Sequence, residues 1–157
     1  MPLKNYTSNV PASHSIGWIE NKLIRHGARQ ILKEYAVDGR LGSIAFIIEA
    51  HGIELPFKLP ARIAECEKVL KGECRRPRKE TFKRIAEQAE RTAWKILADW
   101  VDAQMAMIEL AQVDLLEVFL PYLFDRSKQQ TFYQQLQAKG IQKALPAFIG
   151  QVQISHE

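Results

Sequence analysis

Apolar residues recur at helical spacing from about residue 13 to residue 35. They stand at positions 16, 19, 23, 24, 28, 31, 32 and 35, where steps of three and four keep most of them on one side of a helix. Gly17 and Gly27 each weaken a helix by about 1 kcal/mol relative to alanine, but the length and the period outweigh them. We therefore predict a first helix that begins near Ser13 and ends before Asp38-Gly39.

Residues 41–59 show a period of two instead, on both sides of a His51-Gly52 turn, and this pattern predicts a β-hairpin. If Ala50 pairs with Ile53, six apolar side chains share one face, in the pairs Ile44–Leu59, Phe46–Phe57 and Ile48–Leu55. Pro56 has no backbone N–H, so its strand is expected at an edge of the sheet. Because two strands alone are marginal, the hairpin must pack on helices or pair with another chain.

Three more helices are predicted after the hairpin. Residues 61–71 form a short one that Gly72 ends, and residues 129–143 form the last. Between them, residues 78–120 contain neither proline nor glycine, which predicts one long helix with room for a break near Val113-Asp114. Its small and apolar residues alternate steps of four and three: Phe82, Ala86, Ala89, Ala93, Ile96, Trp100, Ala103 and Met107. This spacing is typical of a seam that packs on another long helix, either the chain's own C-terminal part or a second subunit.

The elements together predict a mainly helical α+β protein, in the order helix, β-hairpin, short helix, long helix and terminal helix. A length of 157 residues fits a single domain, 1–157. Within it we expect a loose N-terminus at 1–12, an α-β-β-α part at 13–72 and a long helical part at 78–145. The seam favours a homo-oligomer, most simply a dimer formed through the long helix.

Composition narrows the class of protein. Cys66 and Cys74 are too few for a disulfide framework and too far apart for a paired zinc-ligand motif. No apolar run reaches the roughly 18 residues of a membrane span, and the start lacks the features of a signal peptide, so we expect a soluble cytoplasmic protein. No phosphate-binding loop, dinucleotide fingerprint, serine-hydrolase elbow or zinc-protease motif is present. We therefore expect neither an enzyme nor a catalytic residue, cofactor, metal ion or membrane partner.

The strongest functional pattern is a concentration of positive charge at residues 71–84, which we call the basic segment. Seven basic residues oppose two acidic ones there, a net of +5 in a chain whose total is +4. The seven are Lys71, Arg75, Arg76, Arg78, Lys79, Lys83 and Arg84. They span a loop and a helix start, where arginine side chains and free backbone amides both suit phosphate oxygens. A solvated basic turn, partly paired through Glu80–Arg84 and Glu87–Arg91, and docking to an acidic protein are the alternative interpretations.

Other candidates lie along or beside the long helix. Trp94 is expected off the seam. Burial on a second apolar face is the favoured interpretation, and an exposed ring that stacks on a nucleic-acid base is the alternative, for which Trp94 is kept among the candidate nucleic-acid contacts. The stretch from residue 96 to residue 125 contains six acidic residues and no lysine or arginine. Three of them can share a face as carboxylate metal ligands do, although a solvated acidic stripe is the favoured hypothesis: Asp99, Asp102 and Glu109. His51, in the hairpin turn beside Glu49 and Glu54, is a weaker candidate for an acid–base trio.

Four collinear segments carry a family resemblance. They are Leu23-Ile-Arg-His-Gly-Ala-Arg-Gln-Ile31, Leu55-Pro-Phe-Lys-Leu-Pro60, Glu87-Gln-Ala-Glu-Arg-Thr-Ala-Trp-Lys-Ile96 with Asp99-Trp100, and Glu117-Val-Phe-Leu-Pro-Tyr122. In these the chain resembles a group of short proteins encoded by phages, prophages and other mobile elements. The resemblance implies a setting, the cytoplasm of a bacterial host cell, and assigns no residue a role.

Two hypotheses of function follow. The first is a non-enzymatic protein of a phage or mobile element that binds nucleic acid, or another polyanion, through backbone phosphates with little sequence preference, and supports replication, recombination or regulation. The second is a phage-borne interaction or inhibitor protein that blocks a host factor or sequesters an anionic small ligand such as a signalling nucleotide. A flat exposed strip of cations favours the first, whereas cations that converge with aromatic residues favour the second.

Overall fold

Residues 2–76 and 78–149 are described by a computed structural model, which has a small antiparallel sheet packed against helices. The first six elements are α1 (Ala12–Arg25), β1 (Gln30–Tyr35), β2 (Leu41–Ala50), β3 (Ile53–Pro60), α2 (Ile63–Gly72) and α3 (Lys79–Glu109). They are followed by α4 (Leu115–Phe119), a 3₁₀ turn (Leu120–Tyr122), β4 (Phe124–Asp125), β5 (Gln130–Thr131), α5 (Phe132–Lys139), α6 (Ile141–Ala144) and α7 (Pro146–Ile149). The predicted fold class, mainly helical α+β, is confirmed.

The predicted length of the first helix was wrong. Helix α1 ends at Arg25, because Gly27 turns the backbone into the left-handed region at φ +98°. The amide of Ala28 then donates to the carbonyl of Leu23, which closes the helix end. Residues 30–35 form strand β1, which pairs antiparallel with β2 and gives the strand order β1-β2-β3. A third strand supplies partners for the side of β2 that a lone hairpin would leave unpaired.

The predicted hairpin and its register are confirmed pair by pair. Ala50 lies opposite Ile53, and the three apolar pairs follow as expected. His51 and Gly52 both have positive φ angles, 54° and 75°, which a tight two-residue hairpin turn requires. Strand β3 lies at an edge of the three-stranded sheet, as Pro56 predicted, and its outer side makes one isolated bridge, from Phe57 to Leu123. Five of the six predicted face residues are buried in the core: Ile44, Phe46, Ile48, Phe57 and Leu59.

Helix α3 is long and ends before a break, as predicted, but its buried face differs from the predicted seam. The break contains Ala111 at φ 54°, and Asp114 then begins α4 with a capping box that Glu117 completes. Helices α1 and α2 of the same chain both pack along α3, and the C-terminal part contacts it at Trp100, whose ring lies 5.5 Å from that of Phe119 and 5.6 Å from that of Tyr122. Because two neighbours cover it, α3 buries a broader surface than one heptad stripe: Ala89, Thr92, Ala93, Trp94, Ala98, Val101 and Met105.

The N-terminal residues are not loose, contrary to prediction. The hydroxyl of Thr92 donates to the carbonyl of Asn5 at 3.0 Å, and the amide side chain of Gln88 donates to the carbonyl of Ser8 at 3.1 Å. The side-chain amide of Asn5 donates in turn to Asp99 at 2.9 Å. These bonds hold the segment before α1 against α3, because polar groups of α3 satisfy its exposed backbone.

The C-terminal part is more divided than the single helix predicted at 129–143. A two-strand ladder, β4 with β5, precedes it and was not predicted. Thr131 and Gln134 form a capping box at the start of α5, and Gly140 at φ 88° separates α5 from α6. Among the residues that the structure describes, no helix combines the length and apolar character needed to cross a bilayer.

Candidate functional site

The basic segment connects α2 to α3. Lys71 belongs to the last turn of α2, whereas Lys79, Lys83 and Arg84 belong to the first turns of α3. Arg75, Arg76 and Arg78 lie between the helices, and Pro77 is outside the described residues. All seven basic side chains are exposed. The segment therefore presents its cations to solvent from a loop and from the helix start that follows it.

Six of these seven cations have no acidic partner in the described part of the chain. Lys71 pairs with Glu67 at 3.0 Å, and its ammonium group also lies 5.3 Å from the centre of the Phe82 ring. Within residues 2–76 and 78–149, no ion pair involves Arg75, Arg76, Arg78, Lys79, Lys83 or Arg84. Elsewhere the protein neutralises many of its cations, namely Lys4, Lys22, Arg29, Lys33, Arg40, Lys58, Arg62 and Lys95.

The pairing expected of a solvated basic turn does not form among the described residues. Neither Glu80–Arg84 nor Glu87–Arg91 is an ion pair, and Arg91 bonds instead to Gln88 and to the carbonyl of Ser8. The segment's cations also do not stabilise α3, because positive charge at a helix start opposes the helix dipole. An unpaired cluster at that position therefore costs stability and suits an external anion better than an internal role.

The start of α3 adds hydrogen-bond donors to the charge. Arg78 is the N-cap residue, and no side chain caps the helix there. The backbone N–H groups of the first turn, from Lys79 to Thr81, consequently point past the helix end without an intrahelical acceptor. Phosphate oxygens accept hydrogen bonds readily from such free amides and from arginine side chains beside them.

Sequence reasoning missed one neighbouring cation. Lys68 is exposed on α2, three residues before Lys71. Residues three apart lie on the same side of a helix, so helical spacing places Lys68 and Lys71 together. The charge count began at Lys71 because no helical face was assigned to the end of α2. The exposed basic surface therefore extends back by one turn.

The favoured interpretation of Trp94, burial, is confirmed, and its candidate role as a stacking residue was wrong. Its side chain is fully buried in α3, and its indole N–H donates to the carbonyl of Leu41 at 3.2 Å. A base cannot stack on a ring that has no solvent contact. The reason is that α3 is covered on more than one side, so the side opposite the seam is also interior. Trp18, on α1, is the tryptophan with an exposed ring.

Asp99 of α3, one of the three carboxylates considered as metal ligands, is neutralised by nearby cations. Asp99 contacts Lys95, Lys4 and Asn5. Burial raises the pKa of Asp99, but the hydrogen bonds from Lys95 and Asn5 and the charges of both lysines outweigh it and hold the pKa below its ordinary value.

The other two carboxylates proposed as metal ligands are also paired. Asp102 contacts Lys22 at 3.5 Å, and Glu109 contacts His26 at 3.0 Å. No group of three or more metal-ligating side chains occurs within the described residues. Because lysines and a histidine already contact these carboxylates, the structure gives no support to the metal interpretation.

The predicted trio around His51 does not form. The His51 ring contacts Asp114 at 2.8 Å, and this hydrogen bond is the main cause that lowers the pKa of Asp114. Glu49 and Glu54 do lie opposite each other, as the register predicted, and Glu54 pairs with Arg29 at 3.3 Å. His51 therefore links the hairpin turn to the start of α4, which is a structural role.

Comparison with known proteins adds no function. No family model, no curated protein and no solved structure matches this chain. The resemblance to mobile-element proteins stays a prediction. The residues themselves must therefore support any assignment.

Several cavities of the described structure lie elsewhere than the basic segment. Five of them, from about 310 to about 760 Å³, are lined by residues of the sheet, of α1 and α2, of the middle and end of α3, and of the C-terminal part. None of the seven basic residues lines any of these five. An open strip of cations suits an extended polyanion better than an enclosed small anion.

Proposed function

We propose that the protein binds the phosphate backbone of nucleic acid through the basic segment, without catalysis and with little preference for sequence. One observation carries the proposal: six exposed cations of the segment have no ion-pair partner among the described residues, whereas many cations elsewhere are paired. The proposed contacts are Lys71, Arg75, Arg76, Arg78, Lys79, Lys83 and Arg84, with Lys68 at the margin.

Chemistry explains why these residue types suit phosphate. Each guanidinium can donate two parallel hydrogen bonds to one phosphate, and the three loop arginines are close together in sequence. The lysines act as point charges along the first turns of α3. Neutralising about three to six phosphates would release a similar number of counterions, so binding should weaken steeply as salt rises.

The setting is proposed from the resemblance to mobile-element proteins. In it, such a protein would coat or anchor DNA or RNA during replication, recombination or regulation in the bacterial cytoplasm. The alternative, a protein that blocks a host factor or sequesters a small anion, is less well supported at the basic segment, because the segment lines none of the five cavities described above.

Fluorescence anisotropy tests the proposal. A labelled single strand and a labelled duplex are titrated with the full chain from about 50 to about 300 mM salt, and the logarithm of the affinity should fall linearly with the logarithm of salt concentration. Replacing Arg75, Arg76 and Arg78 by alanine should abolish binding and leave the thermal melt unchanged, because all three side chains are exposed.

A matched control separates the site from total charge. Arg25, Lys139 and Lys143 are also exposed and make no ion pair within the described residues, so their triple alanine variant loses the same three charges elsewhere. It should retain most of the affinity. Equal losses in the two triple variants, or no binding at the lowest salt, would contradict the proposal.

Self-association through α3 is a separate proposal. Of the predicted seam, Ala89 and Ala93 are buried within the chain, whereas Phe82, its first residue, and Ala103, one step before its last, are exposed. Sedimentation of the full chain tests it: a dimer has twice the monomer mass, whereas a single species of 18.0 kDa at all concentrations would contradict the dimer.

A further inference from the structure

The face of the sheet that points away from the core forms the floor of the largest of the five cavities. Side chains alternate along a strand, so the neighbours of the buried residues Ile44, Phe46 and Ile48 point to the opposite side. That outer face carries apolar side chains from all three strands: Leu32, Ala45, Ile47 and Pro56. Leu32 is 61% exposed, although it is in the middle of a strand. We call the cavity over this face the sheet groove.

Strand β4 gives the sheet groove a wall. The bridge from Phe57 to Leu123 places β4 beside β3, and the next residue, Phe124, lines the groove. Lys58 lies 4.9 Å from the centre of the Phe124 ring and pairs with Glu34 at 2.6 Å, so this wall is held to the sheet. The groove has a volume of about 760 Å³. Sites for small organic ligands span roughly 300–1,000 Å³, so the size is suitable.

Two arginines line the same groove. Arg29 comes just before β1, and Arg126 lies in the turn between β4 and β5. Arg126 is exposed and makes no ion pair within residues 2–76 and 78–149. Arg29 has one acidic partner, Glu54 at 3.3 Å, but both side chains are exposed, and such pairs hold their partners weakly. Both guanidinium groups can therefore turn to an anion in the groove.

We propose that the sheet groove binds a small amphipathic anion. Its carboxylate, sulfonate or phosphate group contacts Arg29 and Arg126, and its aromatic or aliphatic body lies on Leu32, Ile47 and Phe124. Charge complementarity selects this class over cations and over neutral apolar molecules, because two arginines line the groove beside its apolar floor and Glu34, the acidic residue of the lining, is already paired with Lys58. The site shares no residue with the basic segment, so the two proposals can fail independently.

Anilinonaphthalene sulfonate is a suitable probe, since it joins a sulfonate to fused and single aromatic rings. Its neutral analogue N-phenylnaphthylamine has the rings without the charge. We expect the full chain to bind the sulfonate with at least about tenfold higher affinity than the neutral analogue, because only the sulfonate can accept charge-assisted hydrogen bonds from the two arginines. Fluorescence titration measures both affinities.

Three variants test the assigned residues. Arg126→Gln should weaken sulfonate binding about tenfold and leave the neutral analogue unaffected. Leu32→Glu should weaken both probes, because it places a carboxylate on the apolar floor. Glu54→Gln should strengthen sulfonate binding, because Glu54 competes with the ligand for Arg29. Arg62→Gln is the matched control: it removes an exposed arginine that lines two other cavities, and it should change neither affinity.

Two results would overturn the proposal. One is equal affinity for the charged and neutral probes; the other is sulfonate binding that Arg126→Gln and Glu54→Gln leave unchanged. Leu32 and Arg126 are both exposed, so these variants should fold, and a thermal melt checks it. If Leu32→Glu fails to fold, Arg126→Gln and Glu54→Gln still test the proposal.

Discussion

The indole N–H of Trp94 donates a hydrogen bond to the backbone carbonyl of Leu41 at 3.2 Å. Trp94 is in the middle of α3, and Leu41 is the first residue of β2. Both residues are buried, so water cannot replace either partner. This bond therefore connects the longest helix to the central strand of the sheet.

Trp94→Phe should lower the free energy of unfolding by about 1–3 kcal/mol, because the carbonyl of Leu41 loses its buried donor. The smaller ring adds a cavity cost. Urea denaturation measures the change. Trp18→Phe is the control: Trp18 is exposed, so its replacement should stay within about 0.5 kcal/mol of the parent. Similar losses in both variants would contradict a special role for the Trp94 bond.

The two glycines near α1 should respond to alanine in opposite directions. Gly27 has φ +98°, which alanine tolerates poorly, so Gly27→Ala should destabilise the protein by about 1–2 kcal/mol. Gly17 is inside α1 with open space around its Cα, so Gly17→Ala should stabilise it by about 0.5–1 kcal/mol. Thermal melts of the two variants make the comparison, and shifts of the same sign would count against the assigned end of α1.

These glycines also show what a sequence can predict. Gly17 and Gly27 occur in the same apolar period, and only the backbone angle separates a residue inside the helix from one that ends it. The hairpin register, by contrast, depends on neighbouring residues alone and was predicted correctly. The seam of α3 and the stacking role considered for Trp94 were wrong, because both depend on how many elements cover the helix. The charge of the basic segment could be counted from the sequence alone. Adding Lys68 to it required knowing that α2 extends past Lys68 to Gly72.

Asp99 should stabilise the protein at neutral pH and lose this effect in acid. Its native pKa lies below the ordinary value of 3.8, so the ionised form is favoured in the folded state. The stability it contributes is present above that ordinary value and is lost as the pH falls through the lowered native pKa. Asp99→Asn should therefore reduce the urea midpoint at neutral pH, and the difference from the parent should shrink below about pH 4.

Two observations control this prediction. Asp102→Asn removes the same charge from a position three residues further along α3 and tests whether the effect is specific to Asp99. Lys95→Met removes a partner that lowers the pKa of Asp99 and should shift the acid transition toward higher pH. A difference between Asp99→Asn and parent that stays constant with pH would contradict the assigned pKa direction.

The two thiols should react at different rates with a disulfide reagent. Cys66 is buried against α3, and its burial raises the pKa of the thiol, so little thiolate forms at neutral pH. Cys74 is half-buried in the loop after α2. One thiol should react quickly and the second only on unfolding. Cys74→Ser should remove the fast phase, and two equally fast thiols in the native protein would contradict the packing of α2 on α3.

Helix α3 is a rod of 31 residues, which corresponds to about 45 Å from the basic segment to the loop before α4. Screening at physiological salt acts over about 8 Å, so charges at one end of the rod exert almost no force at the other. The carboxylates of Glu109 and Asp114 at the far end contact His26 and His51 of the same chain, so a polyanion bound as proposed at the arginine-rich end would experience almost no repulsion from them. The length of α3 thus makes the electrostatics of its two ends independent of each other.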